Sequence, residues 1–409
     1  MFLFNKKEDV VLLISINNGG INVSFVSFSE NQKPKFLYNT ILPLIGEKPE
    51  VSNLSSGLSS LLDSSLKEIF KRGWSKAKIK NKEISRVIVS VSSPWFALKV
   101  KDIKLSQQIP FIITQDFIDD IVLKEGELFK KELSRNPDNS KIQFSIVEKN
   151  IVHTKINGYV VDNIIGKKTK NFDAHLLIST VPKNVKEKII NLVHRHTHLS
   201  EEKILMHSFP IILFFVVRDI SQPDSDFVMI NADSEITDVI LVKDHVIKSI
   251  VSFSFGKNTI IRHLAKFFKI SPEIAESQFN MYVFGKIDKP TANSIENILE
   301  NLEREWAVYL EDALLSLSSG AFLPKKTYII SDGPFSSILI NFLKLQKTDM
   351  TSSFRKNINI THIDSSFLSS LCQSNSGMQI SESLLMLAIF YDKLFQNQQN
   401  GVAHLHKSA

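Results

Sequence analysis

Apolar and polar positions alternate along this chain in two different rhythms, and the change of rhythm marks its elements. Val10 to Ile16 is a near-continuous apolar run, and Asn17-Asn18-Gly19-Gly20 is a turn of the hairpin type. From Ile21 to Phe28 the pattern has period two, with Ile21, Val23 and Phe25 on one side and Asn22 and Ser24 on the other. A β-hairpin follows from this. After a polar segment, Leu58, Leu61, Leu62, Leu66, Ile69 and Phe70 recur at helical spacing, which predicts a helix over about 55–71. A buried-type strand is expected at Arg86 to Ser92. A separate unit then reads as strand (96–105), helix (114–133, capped by Thr114), strand (142–151) and strand (171–180), with Asn136-Pro137-Asp138-Asn139 as the helix breaker.

The second half repeats the opening construction. Helices are expected over 185–194 and, more buried, over 204–217. Phe227 to Ala232 reads as an apolar strand, and 236–242 and 246–254 as an antiparallel pair. Helices are predicted at 258–268, 272–282 and 290–317, then a strand at 327–330 that runs into Ser331-Asp332-Gly333-Pro334, and helices at 337–344 and 381–394. Residues 396–409 show no apolar periodicity and are expected to be disordered.

Composition narrows the class. The chain has 409 residues, 43% hydrophobic and 22% charged, which suits an ordinary globular protein of more than one domain. Its net charge of +6 is spread out, and the short basic runs at 78–82 and 167–170 read as solvated loops. The single cysteine, Cys372, excludes an internal disulfide. The longest apolar stretch, Phe209 to Val217, is far short of the ~20 residues a membrane helix needs, and the opening residues lack the order of a secretory signal. A cytoplasmic location is expected. Trp74, Trp95 and Trp306 are not interleaved with basic residues as in single-strand nucleic-acid binders.

Two hairpins of like construction, followed by an apolar strand and a Ser-Asp-Gly-Pro turn into a helix, resemble the layout of the bacterial actin-like family that includes FtsA and PilM. The match is most specific in the second half: Asn231-Ala232-Asp233-Ser234-Glu235-Ile236-Thr237-Asp238 stands where the family has its second phosphate loop, and Phe255-Gly256-Lys257-Asn258 where it has a turn into a helix. Ala275-Glu276 is similar to its Ala-Glu helix, and Ile329-Ile330-Ser331-Asp332-Gly333 to its nucleoside turn. The resemblance implies an α/β protein with an actin-like (ribonuclease H-like) two-domain fold and an inserted strand-helix-strand-strand subdomain of the SHS2 type. The implied division is 1–93 first subdomain, 94–180 insertion, 181–218 return to the first subdomain, 219–364 second domain with helices at about 257–322, 365–395 closing helix, and 396–409 tail.

It also implies a nucleotide site, with ATP and Mg²⁺ as cofactors, built on Ser15, Asn17, Asn18, Gly19, Asn231, Asp233, Ser234, Glu235, Thr237, Asp238, Gly256, Ser331, Asp332 and Gly333. That site departs from the family pattern. Ser15 and Asn17 stand for the first loop's Asp-x-Gly, and Asn231, Asp233, Ser234 and Glu235 for the second loop's Asp-x-Gly-Gly-Gly. The anchoring carboxylates are missing, and two carboxylates stand on the expected phosphate path. Two like charges ~4 Å apart repel by about 4 kcal/mol at an effective dielectric near 20. The expectation is a cytoplasmic scaffold with a degenerate ATP site and no catalytic residues, FtsA-like in cell division. The alternatives are a PilM-like part in type IV pilus assembly and a slow hydrolase with Asp233, Glu235 and Asp332 around a divalent ion. Implied partners are a filament tail or a membrane-protein peptide, with self-association into filaments also open. The tail at 396–409 lacks the basic amphipathic helix of FtsA and is closer to PilM, whereas the insertion is closer to FtsA.

Other candidates carry less. His194, His196 and His198 have metal-ligand spacing only if extended, and the segment reads as a helix end. Ser331-Asp332 lacks the glycine elbow of a serine hydrolase.

Overall fold

The computed structural model describes residues 9–43, 51–77, 79, 83–135, 142–161, 163–221, 225–318, 322–331, 333–345, 358–399 and 406–408. In chain order, β1 (Asp9–Asn17), β2 (Gly20–Phe28) and β3 (Lys35–Pro43) precede α1 (Val51–Glu68). A π-turn at Ile69–Gly73 joins α1 to α2 (Trp74–Lys76), and β4 (Arg86–Val91) follows. The next segment is β5 (Ala97–Ile112), α3 (Gln115–Arg135), β6 (Phe144–Ile156), the short β7 (Tyr159–Val160) and β8 (Lys168–Pro182). The chain returns through α4 (Lys183–Thr197), β9 (Ile204–Ser208) and α5 (Phe209–Ser221). The second half runs β10 (Phe227–Ala232), β11 (Thr237–Lys243), β12 (Val246–Phe253), α6 (Lys257–Phe268), α7 (Pro272–Val283), α8 (Lys289–Ser318), β13 (Lys326–Ile330), α9 (Phe335–Leu345) and β14 (Asn359–His362). It ends with α10 (Ser365–Ser370), β15 (Gln373–Ser374), α11 (Glu382–Gln399) and β16 (His406–Ser408).

Two sheets share one topology. The first has the order β15-β3-β2-β1-β4-β9 and the second β12-β11-β10-β13-β14. In each, the central strand forms an antiparallel hairpin on one side and a parallel pair on the other. A strand covered on both faces reads as an unbroken apolar run, which is why β1 looks as it does. Leu12, Ile14 and Ile16 face α1 and α4 in one cluster. Val11 and Leu13 face α5 and α11 in another. That second cluster continues to Met229, Ile240 and Tyr328 of the second sheet, so α5 and α11 join the two halves. The far face of the second sheet is covered by α6, α8 and α9. Helix α8 keeps its place with Ile295, Leu299, Leu302, Trp306, Leu310 and Leu314 buried at three- and four-residue steps.

The segment from β5 to β8, joined at one edge by β16, forms a third sheet of order β16-β6-β8-β5, with α3 on one face around Ile118, Phe129 and Phe172. Its opposite face sends Leu177 into the cluster shared by the two halves, with Leu98, Val100 and Val152 packed against it. A buried polar knot at this seam ties β6 to β9. Glu148 Oε1 lies 2.9 Å from His207 Nδ1 and accepts from Asn150 Nδ2 at 3.1 Å, and Oε2 accepts from Ser208 N at 3.3 Å.

Two expectations are corrected. The single helix expected over 204–217 is a strand, β9, that turns directly into α5. Ile204-Leu205-Met206-His207-Ser208 completes the parallel edge beside β4. Pro210 fits the first helical turn, where its missing N–H has no partner to lose. The tail expected to be disordered from 396 begins inside α11. That helix runs to Gln399, and Gln396 Nε2 donates to Ser29 O at 3.1 Å. Residues 406–408 pair with β6, and 400–405 and 409 lie outside the described residues. The expected helix breaker at 136–139 also lies outside them. Among the described residues no helix is long and apolar enough to cross a membrane.

Candidate functional site

The two β-hairpins meet tip to tip. The first tip is the two-residue loop Asn18-Gly19, closed by the Asn17–Gly20 pair; the second is 233–236, closed by Ala232 and Thr237. They touch closely: a Cβ on Gly19 would lie 1.9 Å from Ser234 Oγ and 2.6 Å from Ser234 Cβ. Asn18 clamps the junction, its Oδ1 accepting from Glu235 N at 2.9 Å and its Nδ2 donating to Ser93 O at 3.1 Å. Gly256 lies against the second tip from behind, where a Cβ would come within 2.3 Å of Asp233 O.

Glycine-rich tips bind phosphate when their backbone N–H groups point outward unpaired. Here six such groups are already taken. Gly19 N donates to Asn17 Oδ1 (3.2 Å), and Glu235 N to Asn18 Oδ1. Ser234 N donates to Asp233 Oδ1 (2.7 Å), and Asp233 N to Ile236 O (3.0 Å). At the start of α6, Lys257 N donates to Asp233 O (3.2 Å) and Asn258 N to Ser234 O (2.7 Å).

The structure separates the expected site residues by role. Glu235, expected on the phosphate path, turns aside instead. Its Oε1 accepts from Arg262 Nη1 at 2.8 Å and Asn258 Nδ2 at 2.9 Å, because a buried carboxylate needs paired donors. Asp238 is fully enclosed and accepts from Ser93 Oγ (2.7 Å) and Ser252 Oγ (2.6 Å), with Asn231 also bonded to it. Burial pushes its carboxyl above the usual range, against the pull of those three donors. Thr237 Oγ1 donates to Phe255 O at 2.7 Å and so fixes the turn before α6. Ser15 is buried in β1, and neither its Oγ nor that of Ser331 has a hydrogen-bond partner among the described residues. Gly333 has φ +59 and its carbonyl accepts from Ser336. Asp332 lies outside the described residues.

Beside the tips opens a cleft of about 370 Å³, lined from both halves of the chain. Its charged groups are Asp233, Glu276, Glu382 and Lys257, and Lys257 is held 2.7 Å from Glu276. A smaller void of about 20 Å³ lies among residues shared with the cleft.

Sequence reasoning missed Ser93, Ser252, Arg262 and Glu382. Only Arg262 left a trace, one helical turn after Asn258 in the helix that follows the turn at 255–258. The three histidines near 196 diverge: His194 Nδ1 bonds Leu199 O (2.8 Å), His196 Nε2 bonds Asp63 Oδ1 (2.8 Å), and His198 caps the helix with φ +58. Among the described residues no group of three metal-capable His, Cys, Asp or Glu side chains occurs.

A second concavity lies where the insertion meets the first half. It measures about 840 Å³ between α3, the start of β6 and the start of α4. Lys130, Lys131, Arg135, Lys149, Lys183 and Lys186 line it against one acid, Glu127. Three of these cations have carboxylate partners; Lys131, Arg135 and Lys149 make no salt bridge among the described residues.

No known family model matches the sequence, and no curated protein matches it. Among solved structures, the chain is similar to one in the PilM-PilN type IV pilus biogenesis complex, with a TM-score of 0.57 and 12% identity over 96% of this chain and 98% of that one. It also aligns with the ethanolamine utilization protein EutJ of Carboxydothermus hydrogenoformans (TM-score 0.45, 10% identity, 93% and 89% covered). MreB 5 of Spiroplasma citri bound to AMPPNP aligns with a TM-score of 0.45 and 10% identity, over 96% and 99% of the two chains. The fold is actin-like α/β.

Proposed function

We propose that this protein is an actin-fold adaptor that does not run on ATP hydrolysis and that acts by docking the protein partners of a membrane-linked assembly. The observation that carries the reading is the self-occupancy of the loop amides. A triphosphate would have to displace six internal hydrogen bonds, each worth about 1 kcal/mol net, and would then face Asp233, Glu276 and Glu382. Fold alone does not imply the reaction of other actin-fold proteins.

A pilus-type assembly is the preferred setting, supported by the likeness in fold to a chain of the PilM-PilN complex. The basic groove between α3, β6 and α4 is the proposed docking surface, and its charge fits an acidic peptide segment. Placement at the inner face of the cell membrane would come through that partner. The FtsA-like division role is the second reading, favoured by the strand-helix-strand-strand order from β5 to β8.

Calorimetric titration of the folded full chain with ATP and Mg²⁺ is the test. No binding heat up to millimolar nucleotide is expected, and a micromolar dissociation constant would overturn the reading.

A further inference from the structure

We propose that the seam between the β5–β8 segment and the second half of the chain is a pH-sensitive latch, closed while His153 and His175 are neutral and released when both take up protons. The seam has an apolar floor. Val100, Val152 and Leu177 share one cluster with Ile247 and Ile250 of β12, and β5 lies beside β12. The two imidazoles, one on β6 and one on β8, have ring centres 5.7 Å apart.

Both rings are placed by the sheet. His175 stands on the strand face that carries Leu177, because side chains two positions apart share a face, and Val152 is its register partner on β6. The His175 side chain is 16% exposed, and its Nδ1 bonds the Asp102 carboxylate of β5. The register between β6 and β8 slips after Val152, where His153 has φ +50. A bulge of this kind re-aims a side chain, and here it brings His153 under the influence of Asp244, in the turn of the β11–β12 hairpin.

The fixed charges around the rings cancel while the rings are neutral. Lys155 and Lys248 act on both histidines, opposed by Asp244 at His153 and Asp102 at His175. Further along the same strand face, Asp173 has Lys104 and Lys155 as register partners. Lys104, Lys155 and Lys248 are thus matched by Asp102, Asp173 and Asp244, and two imidazolium ions would leave the seam with excess positive charge. Burial is the first cause that holds both histidines below their ordinary value, followed by Lys155 for His153 and Lys248 for His175. Opening the seam returns both rings to water, so the open form binds protons better and a fall in pH favours it. The Glu148–His207 knot still holds β6 to β9 of the first half, so the latch frees the segment from β12 alone.

The test uses the full chain without nucleotide or partner, so its failure leaves the scaffold reading untouched. Spin labels are attached through Leu128→Cys on α3 and Val308→Cys on α8, both exposed positions. Cys372 is buried, with its thiol pushed up to about 12, and stays unlabelled. Label distances are read at about pH 7.5 and about pH 5.5, either side of the ordinary histidine value of about 6.5. One distance at the higher pH and a second, longer population at the lower, reversible on return, are expected. His153→Asn combined with His175→Gln should keep the single distance at both values. Asparagine tolerates a positive φ, and glutamine keeps a donor for Asp102. Lys248→Met removes a like charge and should move the opening to lower pH; it carries the test if the double variant does not fold. A single distance in wild type at both values overturns the proposal. So does a double variant that opens as wild type does, which would assign the transition to Glu148 and His207, or a Lys248→Met variant whose opening does not move.

Discussion

Asp238 shows how one residue can be legible in a sequence while its work is not. Its place after the second tip marks it as a candidate, but the Ser93 hydroxyl that bonds it comes from 145 positions away. No local pattern announces such a partner. Burial holds its carboxyl above the ordinary range. A group whose folded-state value is raised contributes its full share of stability below the unfolded value of about 3.9, and loses it as pH rises through the folded value. Asp238→Asn keeps an oxygen for Ser93 and Ser252 and cannot ionise. Thermal melts between pH 4 and 8 should therefore show the variant gaining on wild type as pH rises. Parallel curves would mean that the carboxyl titrates normally. Glu235 teaches the converse: a carboxylate expected to repel phosphate is consumed by Arg262, and only the fold of α6 brings the two together.

At the level of elements, the hairpins were plain because alternation and glycine turns are local signals. The boundary between β9 and α5 was not, because a fully buried run has no period to read. Strand β3, at 35–43, was missed for the opposite reason: only Phe36 of its nine residues is buried, so its apolar residues mark no single face. The contact between the tips lies beyond any local pattern, and it can be tested directly. Gly19→Ala should destabilise the protein by about 1–3 kcal/mol, the usual cost of overpacking, since its new carbon would collide with Ser234. Combining it with Ser234→Gly should recover most of that loss in urea melts, as coupled neighbours do. A neutral single variant would place the tips apart in solution.

Across the whole molecule, repeated topology was visible as two similar segments, whereas the docking of the insertion was not. That docking relies on Glu148 and its partners in β6 and β9. Glu148→Ala removes the acceptor shared by His207, Asn150 and Ser208, and a buried polar group left unpaired costs about 1–3 kcal/mol. Early proteolytic release within 97–182 is the expected readout, with Glu148→Gln largely protected because it keeps the acceptor oxygen. Equal protease resistance in Glu148→Ala would show that the apolar seam of Leu98, Val100 and Leu177 suffices.

The closing helix has a further consequence in time. Tyr391 and Phe395 lie against Phe28, with ring centres 4.9 and 6.1 Å apart. The hairpin of β1 and β2 therefore waits for α11 to emerge from the ribosome. At about 5–20 residues per second that delay is roughly 20–70 s. Throughout it, Val11, Leu13, Val26 and Phe28 lack part of their cover. Until α11 emerges, a nascent chain of this design carries an apolar sheet face of the kind that chaperones bind.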